Sequence, residues 1–140
     1  MFKNDNSKAT GKLTVEIKND KGVVIETREV KNLVVDDGLE YIASRMKDTS
    51  ATAMSHMAIG TGSTAAAAGN TALGTEAARQ ALTSTTVTAN AVAYVASFGA
   101  GTGTGAITEA GILNANSSGT LLCRTVFSVV NKGASDSMTI

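Results

Sequence analysis

The sequence predicts a mainly β protein: a single-domain antiparallel β-sandwich of the jelly-roll type with one short α-helix. Short runs of alternating apolar and polar residues recur along the chain, and turn-forming residues separate them at the spacing of a sandwich. Only one segment has helical periodicity instead. A partly open barrel is the alternative arrangement of the same strands. At 140 residues the chain is long enough for one such domain and its core.

The first strands follow a polar N-terminal segment. Residues 1–11 lack an apolar pattern, which predicts a flexible arm in front of a β-sandwich domain spanning residues 12–140. Apolar and polar residues then alternate over residues 12–18, turn formers occupy 19–22, and the alternation resumes over 23–30. This pattern predicts a β-hairpin.

One helix is predicted near residues 37–47. Asp37 and Glu40 have the spacing of a capping box at its start. Four apolar side chains then follow at helical spacing: Leu39, Ile42, Ala43 and Met46. We expect this apolar stripe to cover an open face or end of the sheet.

The second half of the chain predicts further strands and one long loop. Residues 60–74 hold too many Gly, Ala and Ser for one regular element, which predicts an ordered surface loop. Loops of this length are uncommon unless they bind something. Residues 79–88 and 91–98 predict a long hairpin joined near Ala89 and Asn90. The remaining strands are expected over residues 55–59, 107–113, 120–130 and 137–140.

Charge and composition exclude several classes of partner. Lys and Arg together number 12, as do Asp and Glu, so a net field that would draw the chain to nucleic acid is not expected. The sequence contains no apolar run of the roughly 18 residues that a membrane span needs. The first residues lack the pattern of a signal peptide, which predicts synthesis in a cytoplasm. Cys123 is the single cysteine and lies among apolar residues, so we expect a small buried hydrophobe.

The chain is poor in groups that carry out catalysis. His56 is its single histidine, which excludes a pair of histidine ligands for zinc. The Gly-rich segments 60–62 and 101–105 lack the helix and the Lys that follow in phosphate-binding loops. Asp36 and Asp37 fit the start of a helix better than a calcium site. The chain is therefore not expected to be an enzyme, and no catalytic residue, cofactor or metal ligand is predicted.

Six short blocks follow one another between residue 30 and the last residue. They are residues 32–39 (NLVVDDGL), 57–62 (MAIGTG), 70–76 (NTALGTE), 107–112 (ITEAGI), 121–127 (LLCRTVF) and 136–140 (DSMTI). In this order and spacing the blocks resemble a family of small β-sandwich structural proteins of tailed-bacteriophage virions. That family includes head decoration (cement) proteins and parts of tail fibres or baseplates. The resemblance implies a place on a phage particle.

Within that family, a capsid decoration protein is the expected function. Such a protein is made in the host cytoplasm and lies on the outer surface of the virion. It is expected to bind the major capsid protein and further copies of itself, as a trimer. A partner strand is expected at the end of the chain, where the last strand is short. The expected contact residues are Phe2, Lys3, Gly60, Thr61, Gly62, Asn70 and Ile140.

Two other functions are weaker on the sequence. A tail-fibre or baseplate component that attaches to host glycans would use exposed aromatic side chains, and Tyr41 and Tyr94 are a thin supply. An envelope hydrolase would need a pair of carboxylates in a cleft. Glu76, Glu109 and Asp136 have no spacing that indicates such a pair.

Overall fold

The computed structural model describes residues 8–47 and 52–140. Within these residues the chain forms ten strands and one α-helix, and the fold class is mainly antiparallel β with one short helix, as predicted. The elements in chain order are β1 (Gly11–Lys18), β2 (Val24–Val34), α1 (Asp36–Lys47), β3 (His56–Gly60), β4 (Glu76–Ala81), β5 (Ser84–Thr88), β6 (Ala91–Val95), β7 (Ser97–Phe98), β8 (Gly105–Leu113), β9 (Leu121–Lys132) and β10 (Ser137–Thr139).

Eight of the strands form one continuous antiparallel sheet in the order β4-β3-β8-β9-β2-β1-β10-β7. The sheet curls into a nearly closed, barrel-like shape, so its two halves face each other across one core. Strands from both ends of the sheet contribute side chains to that core. Its largest members are Val15, Ile17, Met57, Ile59, Phe98, Ile107, Phe127, Val130 and Met138.

The β1–β2 hairpin forms where the alternating pattern predicts it. The side-chain oxygen of Asn19 accepts hydrogen bonds from the backbone N–H groups of Lys21 and Val23, each at 3.0 Å. Gly22 adopts a φ of 73°, a conformation that glycine tolerates better than other residues. Beyond its pairing with β1, β2 continues to Val34 and pairs there with β9. β2 therefore joins the two halves of the sheet.

The long hairpin predicted over residues 79–88 and 91–98 is wrong in its extent. Its outer parts, β4 and β7, belong to the main sheet, whereas β5 and β6 form a separate two-stranded sheet, here called the ribbon. The turn at Ala89 and Asn90 is where the sequence places it, with Ala89 at a φ of 52°. The chain leaves the main sheet at Leu82, whose N–H donates to Ser55, because tertiary pairing overrides the local pattern there.

Helix α1 begins at Asp36, close to the predicted start, but packs by a different face. A Cβ at Gly38 would collide with the carbonyl oxygen of Leu122, so the helix backbone lies directly on β9. The predicted apolar stripe faces solvent instead, with Ile42 39% and Met46 89% exposed. The expectation that this stripe covers the sheet is therefore wrong. The close approach that glycine allows decides which face is buried.

Candidate functional site

A long segment without regular structure, residues 61–75, lies over the outer face of β3, β8 and β9; we call it the covering loop. Small residues of the sheet leave space for the loop. Ala58 on β3 stands opposite Gly111 on β8, and Gly60 on β3 stands opposite Glu109 on β8. Leu73 descends from the loop into this space, 2.7 Å from where a Cβ of Gly111 would lie. It forms a second apolar cluster with Val35, Ala58, Leu113 and Leu121.

A buried ion pair lies beneath the covering loop. The guanidinium of Arg124 on β9 contacts the carboxylate of Glu109 on β8 at 2.8 and 2.9 Å. Their side chains are 2% and 0% exposed. In the β8–β9 pairing Glu109 stands opposite Val126 and Arg124 opposite Gly111. The two charged side chains are therefore diagonal neighbours on one face of the sheet.

The carboxylate of Glu109 holds both ends of the covering loop. It accepts backbone hydrogen bonds from Gly62 at 2.9 Å, from Gly74 at 2.8 Å and from Thr75 at 2.7 Å. The N–H of Thr61 donates to the carbonyl of Thr75 at 2.9 Å and closes the neck of the loop. One ionised side chain thus satisfies three backbone donors that would otherwise be costly to bury.

Arg124 holds the middle of the same loop. Its guanidinium donates to the side-chain oxygen of Asn70 at 2.9 Å and to the carbonyl of Thr64 at 3.1 Å. Thr108, beside Glu109, donates from its hydroxyl to the carbonyl of Gly62 at 2.9 Å. Side chains of β8 and β9 therefore hold the covering loop at its middle as well as at its ends.

The Gly60-Thr61-Gly62 motif has a steric explanation in this arrangement. A Cβ at either glycine would collide with the carboxylate of Glu109. Glycine at both positions lets the carboxylate enter the neck of the loop and reach its amides. The carboxylate of Glu109 thus acts as the anion for three converging backbone N–H groups.

Opposing effects set the pKa of Glu109. Burial alone raises this pKa, but the amides of Thr75 and Gly74, the guanidinium of Arg124 and the amide of Gly62 together hold it below its ordinary value. Glu109 is therefore ionised at neutral pH, as its three donors and its cationic partner require.

Other groups with potential chemistry are held in structural contacts. Cys123 is 4% exposed, and burial raises the pKa of its thiol to about 11, against weaker lowering by hydrogen bonds from Ile112 and Asn32. His56 lies 2.8 Å from the hydroxyl of Ser55 through its Nδ1. Across residues 8–47 and 52–140, no three His, Cys, Asp or Glu side chains group in a way that could hold a metal ion.

The remaining carboxylates of interest also have partners. Glu76 pairs with Arg79 at 2.7 Å, and Arg79 donates further to the carbonyls of Ala115 and Ser118, each at 2.8 Å. Asp136 accepts from the N–H of Gly133 at 2.8 Å.

In the part of the chain that the structure describes, no helix is long and apolar enough to cross a membrane.

Four of the expected contact residues come together at the covering loop. Gly60 and Gly62 line its neck, and Asn70 accepts from Arg124, so these three shape the loop from inside. Thr61 is exposed. The outward surface is formed mainly by the exposed small residues Ser63, Thr64, Ala65, Ala67, Ala68 and Gly69.

The other expected contact residues lie elsewhere. Ile140 exchanges two backbone hydrogen bonds with Ala96, at 2.9 and 3.0 Å, and packs against the main core. Phe2 and Lys3 lie outside the described residues, as does most of the predicted arm. Strand β1 begins at Gly11, inside the range given to that arm.

Sequence reasoning missed Glu109 and Arg124 as a pair. The available signal was a single charged residue in the middle of each predicted strand, Glu109 in residues 107–113 and Arg124 in residues 120–130. Charged residues are almost never fully buried unless they are paired.

Comparisons of the chain with known protein families, with curated proteins and with solved structures gave no match.

Proposed function

We propose that this protein is a structural component of a tailed-bacteriophage virion. Specifically, we propose a decoration protein that binds the major capsid protein on the outer head surface and associates with further copies of itself. The order and spacing of the six sequence blocks support the phage assignment. The covering loop supports a role in assembly.

The observation that carries this proposal is the internal anchoring of the covering loop. Glu109 binds its two ends and Arg124 its middle, so residues 63–69, most of which are exposed, are held in one shape before any partner arrives. A contact surface that is already ordered loses less conformational entropy on binding. Many identical weak contacts on one particle then add up to stable attachment.

Five of the six blocks behind the resemblance lie at this loop, whereas block 136–140 lies on β10 in the main core. Residues 57–62 and 70–76 form its ends, while 107–112 and 121–127 supply Glu109 and Arg124. Residues 32–39 lie alongside, because Val35 belongs to the apolar cluster under the loop. The sequence blocks that carry the resemblance are therefore mostly the segments that form and anchor the covering loop.

Labelling of intact particles tests the location. An antibody raised against the purified protein, followed by gold labelling and electron microscopy of purified virions, is expected to mark the whole head surface. Label restricted to the tail would replace the decoration function by the tail-fibre or baseplate function. Particles without label would overturn the virion assignment.

A binding experiment tests the loop. Heads lacking the protein are mixed with purified variants, and bound protein is measured by co-sedimentation. Ala65→Arg places a large charge on the exposed loop and is expected to reduce binding, whereas Ala43→Arg on the exposed side of α1 is the matched control. Equal binding by both variants would count against the loop. Deletion of residues 2–9, which leaves β1 whole, tests the arm separately.

A further inference from the structure

The ribbon stands apart from the rest of the fold. Among the described residues its strands β5 and β6 pair only with each other, and they form a sheet of their own. All five residues of β5 are exposed, as are the first three of β6. Val87 and Val92 face each other across the two strands near the turn, and they are 70% and 46% exposed.

A ribbon of this kind lacks sufficient support of its own. An isolated two-stranded hairpin is marginally stable in water, and independent stability needs more strands or a packed face. Tyr94 packs against the main core at the base of the ribbon. The Val87–Val92 pair lies two positions further along and presents its apolar surface to solvent. That end of the ribbon therefore has an apolar surface to bury.

The charge pattern favours a second copy of this chain as the occupant of this surface. Residues 80–108 contain no Asp, Glu, Lys, Arg or His. Strands at the edges of sheets are commonly protected by charges against pairing with other chains, and the ribbon carries no such charge. Close to a symmetry axis, identical residues of neighbouring copies meet one another. An uncharged ribbon can meet its own copy without repulsion.

We propose that the ribbon is the self-association surface of this protein, with Val87 and Val92 packing against the same residues of neighbouring copies around a common axis. The occupant is a second copy of this chain. This inference deepens the self-association part of the proposed function and names its contact residues. It requires no contact with a capsid and is tested in solution.

The test measures oligomeric mass against concentration by light scattering and sedimentation equilibrium. Wild-type protein is expected to form a defined oligomer. In Val87→Lys and in Val92→Lys each copy brings one lysine to the proposed interface, where it meets the same lysine of a neighbouring copy. Each variant is expected to weaken association roughly a hundredfold. Val24→Lys is the control, because Val24 is 47% exposed, closely matching Val92, and lies on β2. Unfolding of each variant at low concentration checks that the monomer still folds.

A second variant gives a positive signal. Val87→Cys is expected to form disulfide-linked dimers under mild oxidation, since each copy then carries one accessible thiol, while buried Cys123 leaves the wild type unlinked. An oligomer that persists in both lysine variants and yields no cross-link would overturn the ribbon interface but leave self-association standing. A wild-type monomer at every concentration would overturn the interface together with the self-association. In either case, head labelling still decides the virion location independently.

Discussion

Replacing Glu109 by Gln removes the charge of the buried carboxylate and keeps the size of the side chain. The wild-type carboxylate accepts three backbone hydrogen bonds and pairs with Arg124. Gln offers one acceptor oxygen and one NH₂ donor, so at least one loop amide loses its acceptor. Arg124 remains buried without a counter-charge.

The expected loss of stability is large. Removing one partner of a buried ion pair costs about 3–5 kcal/mol, and leaving a buried amide unpaired costs about 1–3 kcal/mol. These contributions overlap, since Glu109 makes both, and we expect Glu109→Gln to lower the free energy of unfolding by roughly 4–6 kcal/mol. For a domain of this size the unfolding temperature falls by roughly 15–20 °C.

Urea unfolding measures the free energy, and hydrogen exchange measures the loop directly. In Glu109→Gln the amides of Gly62, Gly74 and Thr75 are expected to exchange faster than in the wild type. Glu29→Gln is the control, because Glu29 pairs with Lys12 at 3.3 Å and both side chains are more than 60% exposed. That change is expected to cost less than about 1 kcal/mol.

Two results would refute this reasoning. A loss below about 1 kcal/mol in Glu109→Gln, similar to an exposed pair, would show that the buried pair does not hold the fold. Unchanged exchange at the three amides would show that the carboxylate does not hold the loop. Adding Arg124→Met to Glu109→Gln removes the unpaired cation and is expected to recover part of the stability, but not all, because unpaired loop amides remain.

Three further predictions concern pH, helix packing and thiol reactivity. Because the pKa of Glu109 lies below its ordinary value of 4.5, its stabilisation is complete above that pH and is lost as the pH falls further, so acid titration of stability should be steeper in the wild type than in Glu109→Gln. Gly38→Ala is expected to cost about 1–3 kcal/mol through its clash with Leu122, whereas Ile42→Gln on the exposed stripe changes stability by less than about 0.5 kcal/mol in the same urea experiment. Cys123, with a pKa of about 11, should react with a thiol reagent at pH 8 only after unfolding, and rapid reaction of the native protein would contradict its burial.

The positions of several strands along the chain follow from local pattern. The alternation in β1, the Asn19–Gly22 turn and the β-branched residues of β9 each depend on neighbours in sequence, so the sequence predicts them. The prediction of one long hairpin was wrong because the points at which its strands leave the main sheet depend on residues distant in sequence. Leu82 bonds to Ser55 and Ala96 bonds to Ile140, and local alternation carries no information about either contact.

Hydrophobic periodicity could not predict which face of α1 is buried, nor that Glu109 and Arg124 form an ion pair. The reasons differ. The helical period of the apolar stripe was correct, but Gly38 determined the buried face through backbone contact. Simple alternation places Glu109 on the same face as Ile107, which lies in the main core. An irregularity in strand register between these two residues turns Glu109 to the outer face, where Arg124 meets it.

The anchoring of the covering loop separates its shape from its surface chemistry. Apart from Asn70, Glu109 and Arg124 hold the loop through backbone atoms, namely the N–H groups of Gly62, Gly74 and Thr75 and the carbonyl of Thr64. Side chains at exposed positions 63–69 are not needed for these bonds. Side chains on the outward surface of the loop can therefore vary while the bonds from Glu109 and Arg124 to the loop backbone are kept.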